Sequence, residues 1–277
     1  AGGTAGFGLV LAHHLAAAGA RVLIVGRSAE RVQAAVATLL GSAQASDAPS
    51  VHAAAGMAAD LEQPGEGRRV VAEAEQMWGG VDDLFFCIGR SGRARLLDTP
   101  ADGLRASLEA NLLCAVEITQ AAAAGVAAAG GQIVYIGSLA GKLVTPFMGP
   151  YAVAKSALAA YADGVRLELA PRGGHVLLVS PGPIGRKAGR RQTEPAVDRY
   201  AAAVAQAGLP PEALSPGGTK ALKALDPDRL AARVLVACQR RQPELVVPAM
   251  AGWLAGLIEC CPRWGRLLLG RVSSSHR

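Results

Sequence analysis

Apolar residues recur along the chain at two alternating spacings, which predict strands separated by helices. The runs "RVLIVG" (21–26) and "HVLLVS" (175–180) are continuously apolar, as is typical of parallel strands covered on both faces. A helical spacing continues over the long stretch 101–129. The pattern predicts strands at 21–26, 51–61, 81–89, 131–138, 175–180 and 244–248, and helices at 28–40, 67–78, 101–129, 150–170 and 226–241.

Strands that alternate with helices imply βαβ units and an α/β fold, in which helices cover both faces of a parallel sheet. Neither an internal repeat nor a linker divides the 277 residues. We therefore expect a single domain over residues 1–277. Residues 183–225 are rich in Pro, Gly, Ala and Arg and show no clear period. Loops of this length are usually functional or disordered.

The first eight residues, "AGGTAGFG", form a G-x-x-x-G-x-G turn at Gly2, Gly6 and Gly8 that opens a helix. In βαβ nucleotide folds such glycines let backbone N–H groups approach a pyrophosphate at a helix N-terminus. A turn of this kind usually follows a strand, and the sequence shows none before it. We therefore expect that the first strand is missing, and that a longer form is more stable and binds the pyrophosphate better.

The end of the first predicted strand carries information about the cofactor. A carboxylate at this position would accept hydrogen bonds from the ribose 2′-hydroxyl and favour NAD(H). This sequence has Gly26, Arg27 and Ser28 there. A guanidinium and a hydroxyl suit the 2′-phosphate of NADP(H) instead. Asp60 and Leu61 end the next strand and are candidates to flank the adenine. The alternatives are a solvated Arg27 and an ordinary turn at Asp60, but we expect NADP(H) rather than NAD(H).

Four residues form a candidate catalytic group. Tyr151 and Lys155 are four apart on a predicted helix and share a face, Ser138 ends the preceding strand, and Asn111 lies in the long helix before it. A free tyrosine has a pKa near ~10, which a nearby ammonium lowers. Tyr151 would exchange a proton with a carbonyl oxygen that Ser138 holds, and Asn111 would support a water relay to Lys155. For the Tyr–Lys pair alone, an exposed amphipathic helix is the alternative.

Composition narrows the choice of partners. The net charge of +6 fits an anionic small ligand, a membrane surface or simple solubility. No interleaving of aromatic and basic residues supports nucleic-acid binding. The five cysteines lack the spacing of a metal site, and their odd number favours a reduced compartment. We expect a small-molecule substrate, no metal and no nucleic acid, in the cytoplasm or associated with a membrane.

The motifs, taken in order, resemble the short-chain dehydrogenase/reductase family over nearly the whole chain. The resemblance implies a Rossmann-type, doubly wound parallel sheet of about seven strands in three αβα layers. The missing strand would lie between the strands at 21–26 and 81–87. The resemblance also implies a homodimer or homotetramer. The matching stretches are "AGGTAGFG", "NLLCAVEITQA", "IVYIGSLAG", "YAVAK" and "SPGPIGR".

The resemblance also implies roles for individual residues. Asn111, Ser138, Tyr151 and Lys155 match the family's catalytic tetrad. Nicotinamide contacts are implied near Pro181. With the residues discussed above, the expected cofactor contacts are Gly2, Gly3, Thr4, Ala5, Gly6, Phe7, Gly8, Arg27, Ser28, Asp60, Leu61, Ile88, Gly89, Asn111, Tyr151, Lys155, Pro181, Gly182 and Ile184.

Three features depart from the family's pattern. Phe86, Cys87 and Ile88 replace the usual polar "NNA", so local stability should rest on packing, while Gly89 keeps the close approach to the cofactor. Arg186 stands where a threonine is common and either contacts a phosphate or points to solvent. The C-terminal sequence lacks the ending of 3-oxoacyl-carrier-protein reductases. It looks more like relatives that act on lipid-like or steroid-like carbonyls, including 3-ketosphinganine reductases.

Two further segments are candidates for contact with the substrate, a second subunit or a membrane. The resemblance implies that residues 183–225 form a lid over the substrate, whose basic residues either bind an acidic group or stay solvated. The tail at 249–277 combines Trp253 and Trp264 with arginines, and Pro262 divides it into two short helices. The tail either packs on the domain or a second subunit, or it lies on a membrane surface.

The sequence thus predicts an NADP(H)-dependent oxidoreductase, either a carbonyl reductase or an alcohol dehydrogenase. An apolar ketone or secondary alcohol, lipid-like or steroid-like, is the expected substrate. The alternative is a catalytically silent protein of the same fold that senses a nucleotide or acts as a scaffold. Only the altered "FCIG" and Arg186 support that alternative.

Overall fold

The structure is a computed structural model that describes residues 1–44, 54–185, 198–214 and 223–273. Helices and strands alternate along it as the sequence predicts. The strands are β1 (Val22–Gly26), β2 (Ala54–Ala58), β3 (Asp83–Phe86), β4 (Gln132–Ile136), β5 (His175–Pro181) and β6 (Glu244–Val247). The helices are α1 (Gly6–Ala17), α2 (Ala29–Gln44), α3 (Glu66–Trp78), α4 (Ala101–Leu108), α5 (Cys114–Ala128), α6 (Gly149–Leu169), α7 (Asp198–Gln206), α8 (Pro227–Gln239), α9 (Ala249–Cys260) and α10 (Pro262–Ser273).

Three elements differ from the prediction. In the described part of the strand predicted at 51–61, the residues that form a strand are those of β2. The helix predicted at 101–129 contains a π-helical turn, Glu109–Leu113, between α4 and α5. This turn cannot be recognised in the sequence, because the one extra residue of a π-helical turn shifts the apolar face without ending the helix. Within 183–225, α7 and a 3-10 turn (Pro211–Leu214) are regular; α7 is short and alanine-rich, so it shows no clear apolar period.

The strands pair in parallel and, within the described residues, form two sheets. One contains β1 and β2, and the other has the order β3–β4–β5–β6. Tyr135 of β4 packs among residues of α5 and α6, whereas the preceding Val134 packs among residues of α8 and Leu11 of α1. Helices therefore cover both faces of the larger sheet, which confirms the three-layer α/β prediction.

A slot separates β1 from β3. Three hydrogen bonds close its carboxyl end: the Ala1 amino group donates to the Phe85 carbonyl (2.7 Å), and the N–H groups of Cys87 and Gly2 donate to the carbonyls of Ala1 (3.0 Å) and Val25 (2.9 Å). Below them lies a cavity of about 360 Å³, lined by both strands and by α1 and α3. The cavity lies between the two strands where the sequence analysis places a missing strand.

The helical segment Ala101–Ala128 is long and apolar enough to cross a membrane by length and composition alone, but half of its most apolar window is buried. Ala115 and Ile118 of this segment pack in the core beneath the larger sheet. All five cysteines are in the thiol form, and two of them, Cys260 and Cys261, are exposed. In the ranges described, no group of three or more His, Cys, Asp or Glu side chains is placed to hold a metal ion.

Candidate active site

The glycine turn lies against the carboxyl ends of β1 and β3. Gly2 and Gly6 have φ angles of 78° and 57°. A Cβ on Gly8 would lie 2.2 Å from the Gly2 carbonyl oxygen, so the turn closes only with glycine there. No side chain caps α1, since its N-cap residue is Ala5. The first N–H groups of α1 are therefore available to an anion such as a pyrophosphate.

The other residues of this turn hold it against the domain. Gly3 lies beside Ile24. Thr4 lies over Gly26, since a Cβ on Gly26 would be 2.5 Å from the threonine methyl group. Phe7 packs on the apolar cluster between the larger sheet and α8. Side chains of the turn thus anchor it, while its backbone forms the candidate phosphate site.

The ends of β1 and β2 carry the residues predicted to choose the cofactor. The Ala59 N–H donates to the Gly26 carbonyl at 3.0 Å, which holds the two strand ends together. Arg27 is exposed there. The Ser28 hydroxyl accepts the Arg31 N–H at 3.3 Å and caps α2. Arg27 therefore has an unobstructed guanidinium at this edge, whereas the Ser28 hydroxyl already has a structural partner.

The loop after β2 is tied to the loop after β3. The Asp60 carboxylate accepts the Glu62 N–H at 3.3 Å, and Leu61 is buried in the main core. Glu62 forms an ion pair with Arg90. The loop that carries Asp60 is thus fixed beside the end of β3, with the Leu61 side chain turned into the protein.

The end of β3 joins the glycine turn to the predicted tetrad. A Cβ on Gly2 would lie 3.0 Å from the Ile88 nitrogen, so Ile88 lies directly beneath the turn. A Cβ on Gly89 would lie 3.0 Å from the Lys155 ammonium nitrogen and 3.3 Å from Asn111 Oδ1. Gly89 therefore leaves open the space beside these two side chains.

Apolar packing holds this strand end, as the sequence analysis expects. Phe86 is fully buried and its ring centroid lies 6.4 Å from that of Tyr135. Burial raises the pKa of the neighbouring Cys87 thiol. Cys87 is therefore a neutral packing residue in the position where the family's pattern is polar.

Asn111 lies in the π-helical turn and is fully buried. Its Oδ1 accepts the Arg90 N–H at 3.0 Å, and its Nδ2 donates to the carbonyls of Arg90 (3.1 Å) and Ser107 (2.9 Å). The side chain thus fixes the loop after β3 against the helix that carries it.

Lys155 is buried beneath Tyr151 on α6. Its Nζ donates to the Ile136 carbonyl at 3.1 Å and lies 6.0 Å from the centroid of the Tyr151 ring. Burial lowers the pKa of Lys155 to about 8, because the charged amine loses its hydration. The fold therefore places an amine of near-neutral pKa beside the predicted proton donor.

Ser138 and Tyr151 lie on two segments that contact each other. The Ser138 hydroxyl accepts the Ala140 N–H at 3.1 Å at the start of a 3-10 turn. Tyr151 packs against the cluster of Ala140, Met148 and Ala152. The turn that follows Ser138 is thus packed directly on the first part of α6.

The segment after β5 ends at the same edge of the sheet. Pro181 is the last residue of β5 and is buried. The Gly182 N–H donates to the Val247 carbonyl at 2.7 Å, and Ile184 pairs with Leu225 in a parallel bridge. The predicted nicotinamide contacts therefore lie on a backbone that β6 and residue 225 hold in place.

Several predicted residues of the lid lie outside the described part of the chain. They are Arg186, Lys187, Arg190 and Arg191, together with the side chain of Arg199.

Arg93 is not among the predicted site residues, and it is almost fully buried. Its Nε donates to the Ala213 carbonyl at 2.8 Å, and its guanidinium carbon lies 4.0 Å from the centroid of the Tyr200 ring. The Tyr200 hydroxyl is 2.6 Å from that of Ser91. Arg93 and Ser91 thus tie the described part of the predicted lid to the loop after β3. A loop arginine has no periodicity, so no sequence pattern indicates this role.

Comparison with known proteins gives the relationship of the chain. A family model for short chain dehydrogenases matches residues 1–196. The chain is 34% identical over 186 residues to dehydrogenase/reductase SDR family member 7B of Bos taurus, covering 66% of this chain and 56% of that protein. It is 27% identical over 263 residues to an SDR family protein 7-like of Drosophila melanogaster, covering 94% and 75% of the two chains. The chain thus spans little more than half the length of the member 7B relative.

Solved structures share the fold. L-sorbose reductase from Gluconobacter frateurii, complexed with NADPH and L-sorbose, superimposes with a TM-score of 0.72 at 19% identity, covering 89% of this chain and 92% of that one. A short-chain dehydrogenase from Streptomyces avermitilis gives 0.70 at 24% identity, covering 97% of both chains. The protein belongs to the short-chain dehydrogenase/reductase family and has the Rossmann-like α/β fold of these solved structures.

Proposed function

We propose that this protein is an NADP(H)-dependent oxidoreductase that interconverts an apolar ketone and a secondary alcohol. The proposal rests on one observation above all: the buried Lys155 amine lies 6.0 Å from the Tyr151 ring. Burying an amine without a carboxylate partner is costly, and titratable groups perturbed in this way cluster at functional sites.

Tyr151 is the residue that gives or takes the proton at the substrate oxygen. Lys155, with a pKa of about 8, is mostly protonated at neutral pH, and a positive charge beside a phenol favours the phenolate. The Ser138 hydroxyl holds the substrate oxygen. Asn111, fixed by three hydrogen bonds, supports the water relay that returns protons through Lys155.

The nucleotide site fits a dinucleotide. Gly8 lets the turn close, the uncapped N-terminus of α1 suits the pyrophosphate, and Gly89 leaves space beside Lys155. Lys155 would orient the ribose, and Arg27 is the residue expected to receive the 2′-phosphate. When bound, NADP(H) supplies or accepts the hydride.

The surroundings of Ser138 and Tyr151 favour an apolar substrate. Leu139 and Met148 are buried on the two segments that carry these residues. Lys142, in the same region, forms an ion pair with Glu244 at 2.9 Å, so its charge is already matched. This setting supports a lipid-like or steroid-like ketone or alcohol rather than an acidic one.

The decisive test of the reaction is Tyr151→Phe, with Tyr161→Phe on the same helix as the matched control. Loss of the phenol proton should lower turnover by about 10²–10⁴-fold, while NADPH binding, followed by fluorescence, persists. The control should keep its turnover. The assay is NADPH oxidation with a panel of 3-oxo lipids, steroids and sugars.

Normal turnover by Tyr151→Phe would refute the assignment. If the unaltered protein binds NADPH but oxidises it with no member of the panel, the catalytically silent alternative is favoured.

The cofactor preference is tested by Arg27→Ala, with Arg31→Ala in the first turn of α2 as control. A hydrogen bond to a charged group is worth about 1.5–3 kcal/mol, so NADPH affinity should fall roughly 10–100-fold. NADH affinity should not change in either variant. An equal loss for both cofactors would show that Arg27 acts on the fold and not on the 2′-phosphate.

A further inference from the structure

The last two helices expose large apolar side chains, which we call the C-terminal apolar surface. On α9, Met250 and Trp253 are 77% and 82% exposed, and on α10 Trp264 is 68% exposed. Leu267 and Leu268 are also exposed, and the three- and four-residue spacing places them on the same side of α10 as Trp264. Exposed apolar residues grouped in this way mark an interaction site more often than scattered ones do.

The opposite sides of these helices are already packed on the domain. Ala251 and Ala255 of α9 are buried in a cluster with Leu139 and Leu143. Gly265 brings α10 so close to α9 that a Cβ would lie 2.6 Å from the Ile258 backbone. The two helices are therefore packed on the domain through one side, and the C-terminal apolar surface is the side that stays exposed.

The exposed charges on α10 have one sign, whereas α9 carries one exposed acidic residue, Glu259. Arg263, Arg266 and Arg271 are exposed on α10, which contains no acidic residue. Within the described ranges none of the three forms an ion pair. A two-fold contact between copies would set this surface against itself, and the arginines would then repel each other. An anionic partner would instead attract the arginines.

We propose that the C-terminal apolar surface docks on an anionic membrane. Tryptophans favour the level of the lipid headgroups, and a short amphipathic helix with arginines on its flanks lies in the plane of the interface. Trp253 and Trp264 would enter the headgroup region, while the arginines would meet lipid phosphates and anionic headgroups. The protein would bind the membrane from one side without spanning it.

Helix α9 lies between this surface and the segment that follows Ser138. Leu139, which follows Ser138 directly, lies in the same cluster as the buried side of α9, and Val144 beyond it is exposed. A membrane held against α9 would thus lie near the segment that carries Ser138. If the proposed function is correct, this arrangement favours a substrate that is itself dissolved in the bilayer.

The test is flotation of the purified chain with vesicles of phosphatidylcholine, with and without phosphatidylglycerol, in the absence of cofactor and substrate. Failure of this test therefore leaves the proposed reaction untouched. The apolar variant is Trp253→Ser with Trp264→Ser, and its matched control is Leu97→Ser, at a fully exposed leucine elsewhere. The charge variant replaces the three arginines of α10 by Gln; its control replaces Arg172, Arg233 and Arg240, which are exposed on other elements.

We expect flotation only with the anionic vesicles. The charge variant should lower the partition coefficient about 100-fold, because each arginine near an anionic surface contributes about 1 kcal/mol. The tryptophan variant should lower it by roughly 100-fold or more, since burying a large apolar side chain contributes about 1.5–3 kcal/mol. Both controls should float as the unaltered protein does, and all variants should keep its melting temperature.

Three results would overturn the proposal: no flotation, equal flotation with neutral vesicles, or equal losses in the controls and the matched variants. A dimer in sedimentation that the tryptophan variant abolishes, with no vesicle binding, would also overturn it and assign the surface to a second copy.

Discussion

The two sheets of the fold are built from similar βα units but differ in how completely they are covered. In the four-stranded sheet, Ile133, Val134 and Leu177 have no exposed surface. In the two-stranded sheet, Met57 is the one buried residue of β2, and the slot of about 360 Å³ lies beside β1. The same architecture is thus close-packed on one side of β3 and open on the other.

The candidate site residues are divided between these two halves. Asn111, Ser138, Tyr151 and Lys155 lie around the four-stranded sheet, whereas Arg27 and the turn before α1 lie at the two-stranded one. The half with the candidate tetrad is closely packed but contains a buried amine, and the half with the candidate nucleotide turn contains an unfilled cavity. Each half therefore lowers the stability of the fold in its own way, and matched substitutions should separate the two contributions.

The largest contrast is expected for isoleucine-to-alanine substitutions. Ile133 of β4 and Ile24 of β1 are 0% and 1% exposed, but only Ile24 lines the slot. Ile133→Ala should lower the free energy of unfolding by about 4 kcal/mol and Ile24→Ala by about 2 kcal/mol, because Ile24 has fewer packed neighbours to lose. Urea denaturation of both variants measures the difference. Equal losses would mean that the slot does not weaken packing around β1.

The next contrast concerns the buried amine in the half that carries the candidate tetrad. The pKa of Lys155 is about 8 in the fold and 10.5 as its ordinary value. Between these values the unfolded chain holds a proton that the folded chain does not, so the free energy of unfolding rises with pH from about 8 to about 10.5. Below pH about 8, the full cost of burying the charged amine is present.

Lys155→Met should remove this cost. The variant should be more stable than the unaltered protein at neutral pH, by up to about 3 kcal/mol, and the advantage should shrink towards pH about 10.5. Burial raises the pKa of the neighbouring Cys87 thiol, and it raises the pKa of Cys114 to about 12, so Cys114 stays neutral over this range. Urea denaturation at several pH values gives the comparison. A difference that does not change with pH would assign the effect of Lys155 to packing.

The smallest effect tests the slot itself. Ala74 of α3 and Ala122 of α5 are both buried, and Ala74 lines the slot. Ala74→Leu should fill part of the cavity and raise the free energy of unfolding by about 1 kcal/mol. Ala122→Leu, in the packed half, should lower it by about 1–3 kcal/mol through overpacking. Thermal unfolding of the two variants should shift in opposite directions; shifts of the same sign would contradict an open slot.

Much of the fold could be predicted from the sequence because periodicity reports burial directly. The continuous apolar run of β5 identifies a strand covered on both faces, and the helices follow from their own period. The four-residue spacing of Tyr151 and Lys155 is enough to place both side chains on one face of a helix. The π-helical turn around Asn111 and helix α7 were not predicted, because neither interrupts nor creates an apolar period.

Local spacing and residue type are sufficient to specify the α/β class, the order of the elements, the glycine turn and the residues of the candidate tetrad. Two further features arise only in the folded chain: the burial that lowers the Lys155 pKa, and the contacts of Arg93 with Tyr200 and Ala213. These depend on residues far apart in the chain, such as Arg93 and Ala213. Desolvation and packing arise only when such segments come together, so no local pattern records them.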